Sequence, residues 1–237
     1  MQRYAKITEK NPREIVLLRG QGCRYRRCTF CDYYEDASPD TAENLRINRQ
    51  ALAQVTGEYG ALEAINSGSF TELDPATVDC LEATCRERGI HTLHLECHWL
   101  YRRDIPAMRR RFQEAGVTLR IKQGVETFDS VYREQVMKKG IRETDPAKIA
   151  EGFDECCLLF GLPGQTAESM RADVETGLAH FDRVCVNLMT ENGALLQPDA
   201  AVRACFLRDV ELLYRESPRV DILRENTDFG VGGEEDE

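Results

Sequence analysis

Cys23, Cys28 and Cys31 stand within nine residues of one another, in the pattern C-x4-C-x2-C. Thiolates spaced this way on one loop can surround a single soft metal centre, and iron–sulfur clusters take cysteine thiolates. No fourth cysteine lies nearby, so one iron of such a cluster could keep an open position. Zinc is the other metal reading. A closed zinc site needs a fourth protein ligand, which a distant histidine could supply. Three unrelated thiols on a surface loop are the remaining alternative, disfavoured because exposed thiols are reactive. The chain has 10 cysteines in all. Several others, Cys156, Cys157 and Cys185 among them, lie in apolar runs and read as small buried hydrophobes of a reducing compartment.

These thiols need a scaffold, and the hydrophobic pattern supplies one. Short apolar runs at 14–19, 62–66, 92–97, 118–125, 155–161 and 183–189 read as strands. Amphipathic stretches at 42–58, 75–88, 102–115, 130–139, 166–180 and 199–215 read as the helices between them, with a further short helix at 146–153. Asp74-Pro75 is a capped helix start, and Gly89 and Gly116 fit helix ends. Strand–helix alternation with right-handed crossovers predicts an α/β protein with a parallel sheet curved into a partial (βα)6 barrel. Barrel chemistry sits at the C-terminal ends of the strands. Gly20-Gln21-Gly22 delivers Cys23 there from the first strand. The expected organisation is a barrel over residues 1–215 and a C-terminal extension over 216–237 that ends in the acidic run Glu234–Glu237.

The cysteine loop resembles that of the radical S-adenosylmethionine (SAM) superfamily, which carries a C-x3-C-x2-C motif after its first strand and an aromatic residue before the last cysteine. Phe30 occupies that place, and one extra residue separates the first two cysteines. Later segments are similar in order and position. Asn66-Ser67-Gly68-Ser69-Phe70 follows the second strand, where the superfamily holds the SAM amino group on a small glycine turn. Gly68 and Ser69 are the matching positions; the superfamily's glycine pair and following acid are not reproduced, although Glu72 is near. Gly124-Val125-Glu126 resembles the SAM turn of the coproporphyrinogen-oxidase-like and Elongator-like branches. The resemblance implies that Glu126 meets the SAM ribose or amine and that Arg133 pairs with the SAM carboxylate. Phe160-Gly161-Leu162-Pro163-Gly164-Gln165-Thr166 resembles the segment that packs on adenine, which places Gly161 and Leu162 beside the base. It implies a [4Fe–4S] cluster on Cys23, Cys28 and Cys31, SAM as cofactor, a deoxyadenosyl radical, and a flavodoxin- or ferredoxin-like electron donor.

Strand alternation nominates the substrate side. His94, Glu96 and His98 share one face, opposite Leu93, Leu95 and Cys97. Lys122, Gly124 and Glu126 share another, as do Asn187 and Met189. Glu96 and Lys122 are the catalytic candidates, although an internal ion pair between them is an equal reading. His98 and Asn187 are substrate-binding candidates, with Arg24 and Arg27 available to a phosphate. Trp99 and Tyr101 could stack on a planar substrate.

Formal net charge is −10, a poor match for a long nucleic acid, whose phosphates demand a basic surface. No apolar run approaches the roughly 20 residues that span a bilayer, and residues 1–9 carry no apolar signal core. A cytoplasmic enzyme acting on a small molecule, such as a modified nucleoside or nucleotide, is the expectation. The segments His98-Trp99-Leu100-Tyr101-Arg102 and Val125-Glu126-Thr127-Phe128-Asp129 are similar to those of the queuine lyase group of compact radical SAM enzymes, which free a deazaguanine base from queuosine or its 5′-phosphate. Two other readings stay open at this point: a radical SAM enzyme acting on a porphyrin, peptide or RNA base, and a non-catalytic zinc-binding α/β protein.

Overall fold

The computed structural model describes residues 1–233. The acidic run Glu234–Glu237 lies outside the described residues. The chain divides into two compact units. The first takes residues 1–24, 33–121 and 229–233; the second takes 25–32 and 122–228.

In the first unit, β1 (Tyr4–Ile7) pairs antiparallel with β2 (Arg13–Leu18). Lys10 and Asn11 turn the chain between them with φ of 40° and 52°. From β2 onward the pairing is parallel, to β3 (Ala61–Asn66) and then β4 (Thr92–Glu96). Every residue of β2 except Leu17 is buried, as a strand covered on both faces requires. The helices that cover it start where short polar side chains answer the orphan N–H groups of the first turn. Asp40 caps α1 (Thr41–Leu52), and Asp74 caps α2 (Pro75–Glu87). A 3₁₀ stretch, Trp99–Asp104, leads into α3 (Ile105–Glu114). Leu18, Leu62, Leu81 and Leu93 are fully buried between these layers, and Ile15, on the opposite face of β2, packs with Ile7 and Val231. Asn48 of α1 fixes the end of β2: its amide oxygen accepts from Arg19 N at 2.7 Å and its amide nitrogen donates to Arg19 O at 2.9 Å. The chain therefore leaves β2 in a fixed direction toward Cys23. Below, Arg13 and Glu63 form a buried ion pair at 2.6 Å.

β5 (Thr118–Glu126) begins in the first unit and ends in the second. There Lys122–Glu126 pairs parallel with β6 (Glu155–Phe160), which pairs with β7 (Arg183–Leu188), which pairs with β8 (Val220–Leu223). A register shift between Gly124 and Glu126 bulges the end of β5, and Glu126 leaves it at φ 69°, in the left-handed region that non-glycine residues rarely occupy. α4 (Pro146–Ala150), α5 (Ala167–His180) and α6 (Ala200–Cys205) are capped by Asp145, Thr166 and Asp199. α6 runs through a π-turn at Phe206–Val210 into α7 (Glu211–Tyr214).

Three expectations change. The stretch 216–237, read as an extension, supplies β8, which completes the second unit's strand ladder. β1 was unmarked because four residues are too few to show a period. The helix expected at 130–139 shrinks to a single π-turn, Tyr132–Val136, and Lys138 then turns at φ 52°. The order of the other strands and helices follows the hydrophobic pattern.

Candidate active site

The two units each carry a set of the residues singled out above. In the first unit, Cys23 is half-buried and its backbone N–H donates to Ser67 O at 3.1 Å. This fastens the first cysteine to the turn after β3. Ser69 N–H donates to Glu72 Oε2 at 2.7 Å, and Arg24 N–H donates to Glu72 Oε1 at 2.6 Å. Ser69 Oγ accepts from His98 N–H at 2.9 Å, so the same turn also holds the chain as it leaves β4. His98 Nδ1 accepts from Leu100 N–H at 3.2 Å, which places the proton of a neutral ring on Nε2. Glu96 ends β4 and is half-buried. The Arg24 guanidinium stacks 4.7 Å from the Tyr101 ring centre, and Arg102 covers Trp99 at 3.5 Å. Both aromatics expected to receive a planar substrate therefore already carry a cation on one face.

In the second unit, the loop with Cys28 and Cys31 is strapped from two sides. Tyr25 donates to Lys138 O at 2.7 Å, Thr29 N–H to Met137 O at 3.0 Å, and Thr29 Oγ1 to Val136 O at 2.8 Å. From the other side Leu196 N–H reaches Thr29 O at 2.7 Å, Asn192 Nδ2 reaches Phe30 O at 3.0 Å, and Gly193 N–H reaches Asp32 Oδ2 at 3.0 Å. Phe30 packs on an apolar cluster of Met137, Leu159, Leu162 and Met189. Asn187 lies level with Leu159 in the β6–β7 register, at the C-terminal end of the strands.

The Lys139 ammonium lies within this set, 2.7 Å from Glu126 Oε1 and 5.6 Å from the Phe30 ring centre. Burial works against its charge. The Glu126 carboxylate and then the Cys28 and Cys31 thiols outweigh that and hold its pKa well above the usual lysine value. Gly124 makes room for the pair: a Cβ there would stand 2.5 Å from Glu126 Oε1 and 2.8 Å from Lys139 Nζ. No sequence pattern singles out Lys139. It is the last residue of a stretch read as helix, and the left-handed Lys138 swings it back to the strand ends.

Three nominated residues are engaged with other parts of the chain. Arg133 is fully buried and donates to Thr127 O, Ile141 O and Glu143 O, so it ties together the turn after β5 rather than offering itself to a carboxylate. Burial lowers its pKa from the usual arginine value. Lys122 is buried in the middle of β5, level with its register partner Glu155, the first residue of β6. Gly161 has φ 86°, but the space its missing Cβ leaves is filled by Arg203 Cγ and Leu188 Cδ1 rather than kept for a base. Leu162, next to it, is wholly buried in the Phe30 cluster.

Neither a family model nor a curated protein matches the sequence. Solved structures do. A queuine lyase from Clostridium spiroforme, bound to SAM and queuine, superposes with a TM-score of 0.93 at 39% identity, over 98% of this chain and 100% of that one. Streptococcus suis SuiB bound to SAM superposes with a TM-score of 0.53 at 16% identity, over 88% of this chain and 46% of that one; at this identity the likeness shows the fold alone. Fold and likeness together define an α/β radical SAM enzyme with the partial barrel of that class. At 39% identity over their full lengths, the likeness to the Clostridium protein is one of family. The chain belongs to the queuine lyase family.

Proposed function

We propose that this chain binds SAM and a [4Fe–4S] cluster and frees queuine from queuosine or its 5′-phosphate. The observation that carries the reading is the full-length match to a relative bound to SAM and queuine. Cys23, Cys28 and Cys31 fit the cluster: three half-buried thiols outside any disulfide, with the Lys139 cation felt by the last two. Held by these three thiols, such a cluster would supply the one-electron reduction of SAM and with it the radical chemistry that frees the base.

The remaining parts belong to the chain. Gly68 and Ser69 present backbone to the methionyl amine, while the Glu126–Lys139 pair offers both signs of charge to a zwitterion. Phe30 and the cluster that includes Leu162 form an apolar wall for the adenosyl group. Glu96, His98 and Asn187 stand at strand ends, where they can read the edge of a base. Arg24 and Arg27 are exposed and can meet a 5′-phosphate. An exposed basic loop around Cys28 also suits a flavodoxin- or ferredoxin-like donor.

Anaerobic reconstitution tests the reading. Iron and sulfide near four per chain are expected, with SAM cleavage on reduction and queuine released from queuosine. Bound zinc without SAM cleavage would overturn the reading. SAM cleavage stimulated only by a porphyrin, peptide or RNA would leave the class and overturn the substrate.

A further inference from the structure

We infer that Glu72 is a positioning residue, clasping the Cys23 segment to the turn at Ser67–Ser69 so that a cluster ligand and the SAM-binding turn share one geometry. The inference rests on the proposed cluster and SAM site.

Glu72 is an unusual place for a carboxylate. Its side chain is 1% exposed and it lies on a 3₁₀ turn, Phe70–Glu72. Each oxygen has its own donor, and both donors are backbone N–H groups: Arg24 to Oε1 and Ser69 to Oε2. Charge-assisted bonds of this kind are about twice as strong as neutral ones. The Glu72 carbonyl also accepts from Gln21 N–H at 3.1 Å, while Cys23 N–H donates to Ser67 O. These bonds, with one from the exposed Arg24 guanidinium to Thr71 Oγ1, join or brace residues 21–24 and 67–72, and the buried carboxylate supplies two of the three that involve a side chain.

Gly68 confirms how tightly the carboxylate fits. A Cβ at that position would land on Glu72 Oε2 and come within 3.2 Å of Cys23 N. The glycine is therefore required by the clasp as well as by any ligand above it. With both oxygens engaged by the chain, Glu72 acts on SAM through the Ser69 turn rather than by touching it. An amide at this position presents one oxygen and one NH2 group, so one of the two N–H donors would face another donor.

The test uses the reconstituted holoenzyme with Glu72→Gln and Gly68→Ala. SAM is titrated against the change it produces in the electron paramagnetic resonance spectrum of the reduced cluster, and iron content and Michaelis constants are read alongside. Glu72→Gln should keep wild-type iron, since all three thiols remain, and weaken SAM binding about tenfold, the size of one such hydrogen bond. The Michaelis constant for queuosine should stay within about twofold of wild type, which a general loss of structure would not allow. SAM affinity within about twofold of wild type overturns the clasp. Should Glu72→Gln fail to fold, Gly68→Ala decides by the same limits, because it pushes the carboxylate aside without removing it. A wild-type protein that takes up no iron, or whose spectrum ignores SAM, would overturn the proposed function and the clasp with it. A responsive wild type beside an unaltered variant overturns the clasp alone.

Discussion

The Lys139 ammonium and the Glu126 carboxylate meet at 2.7 Å with less than an eighth of either side chain exposed, 11% and 9%. Removing one member of a buried pair leaves the other charge unpaired, which costs about 3–5 kcal/mol. Lys139→Met should lower the stability of the cluster-free protein by about that amount, measured by denaturant unfolding. The double variant Glu126→Gln/Lys139→Met should recover most of the loss, because no unpaired charge remains. It should still bind SAM poorly. A double variant that binds SAM like wild type would show that the pair is architectural.

Arg133 gives the contrasting case. Its guanidinium serves three backbone carbonyls, at Thr127, Ile141 and Glu143. Arg133→Met should orphan those acceptors and lower stability by at least about 2–3 kcal/mol, since a buried unsatisfied group costs about 1–3. The Michaelis constant for SAM in the folded fraction should move little. A large rise in that constant with unchanged stability would return Arg133 to the SAM carboxylate.

Asp173 makes stability depend on pH. The carboxylate accepts from Phe128 N–H at 2.7 Å, yet burial dominates and raises its pKa from 3.8 to about 6. The folded state therefore holds the proton more tightly than the unfolded chain. The resulting stabilisation is fully present below the unfolded value near 4 and is lost as pH rises through about 6. Thermal unfolding followed from pH 4 to pH 8 should show this group losing about 3 kcal/mol, from roughly two pKa units at 1.36 kcal/mol each. Asp173→Asn, which keeps an acceptor for Phe128, should flatten that part of the profile. An unchanged slope would assign it to other groups.

Arg27 and Arg24 separate two substrates. Both are exposed, but Arg24 is already engaged with Tyr101, Thr71 and Glu72. Arg27→Ala should raise the Michaelis constant for queuosine 5′-phosphate severalfold and leave that for queuosine unchanged. Equal effects on both would exclude a phosphate contact.

What the sequence made legible was local. Asp74-Pro75 marks a helix start because cap and first turn are adjacent residues, and the strand after it announces itself by alternation at Leu93, Leu95 and Cys97. That the cysteine loop follows β2 and that Gly124–Glu126 ends β5 was legible for the same reason. Lys139 was not, because its place depends on a π-turn and a left-handed Lys138 that no periodicity encodes. Lys122 shares a strand face with Glu126, but alternation reports the face and not the height along the strand. Four residues at about 3.3 Å each separate the two. The partners of Arg133 were not legible either, since a guanidinium that suits a carboxylate also suits three carbonyls.

β8 gives the C-terminal stretch a second meaning. Val220–Leu223 covers the outer hydrogen-bonding edge of β7, a strand whose Val184, Cys185, Val186 and Leu188 are buried. Arg183 and Asp221 pair across that seam. A chain trimmed after α7, where the helical pattern ends, would present a bare apolar ladder to its neighbours and invite strand exchange between molecules. β8 is thus a guard against self-association, and fusion tags or cleavage sites belong beyond Gly233, whose carbonyl still accepts from Gln2 N–H.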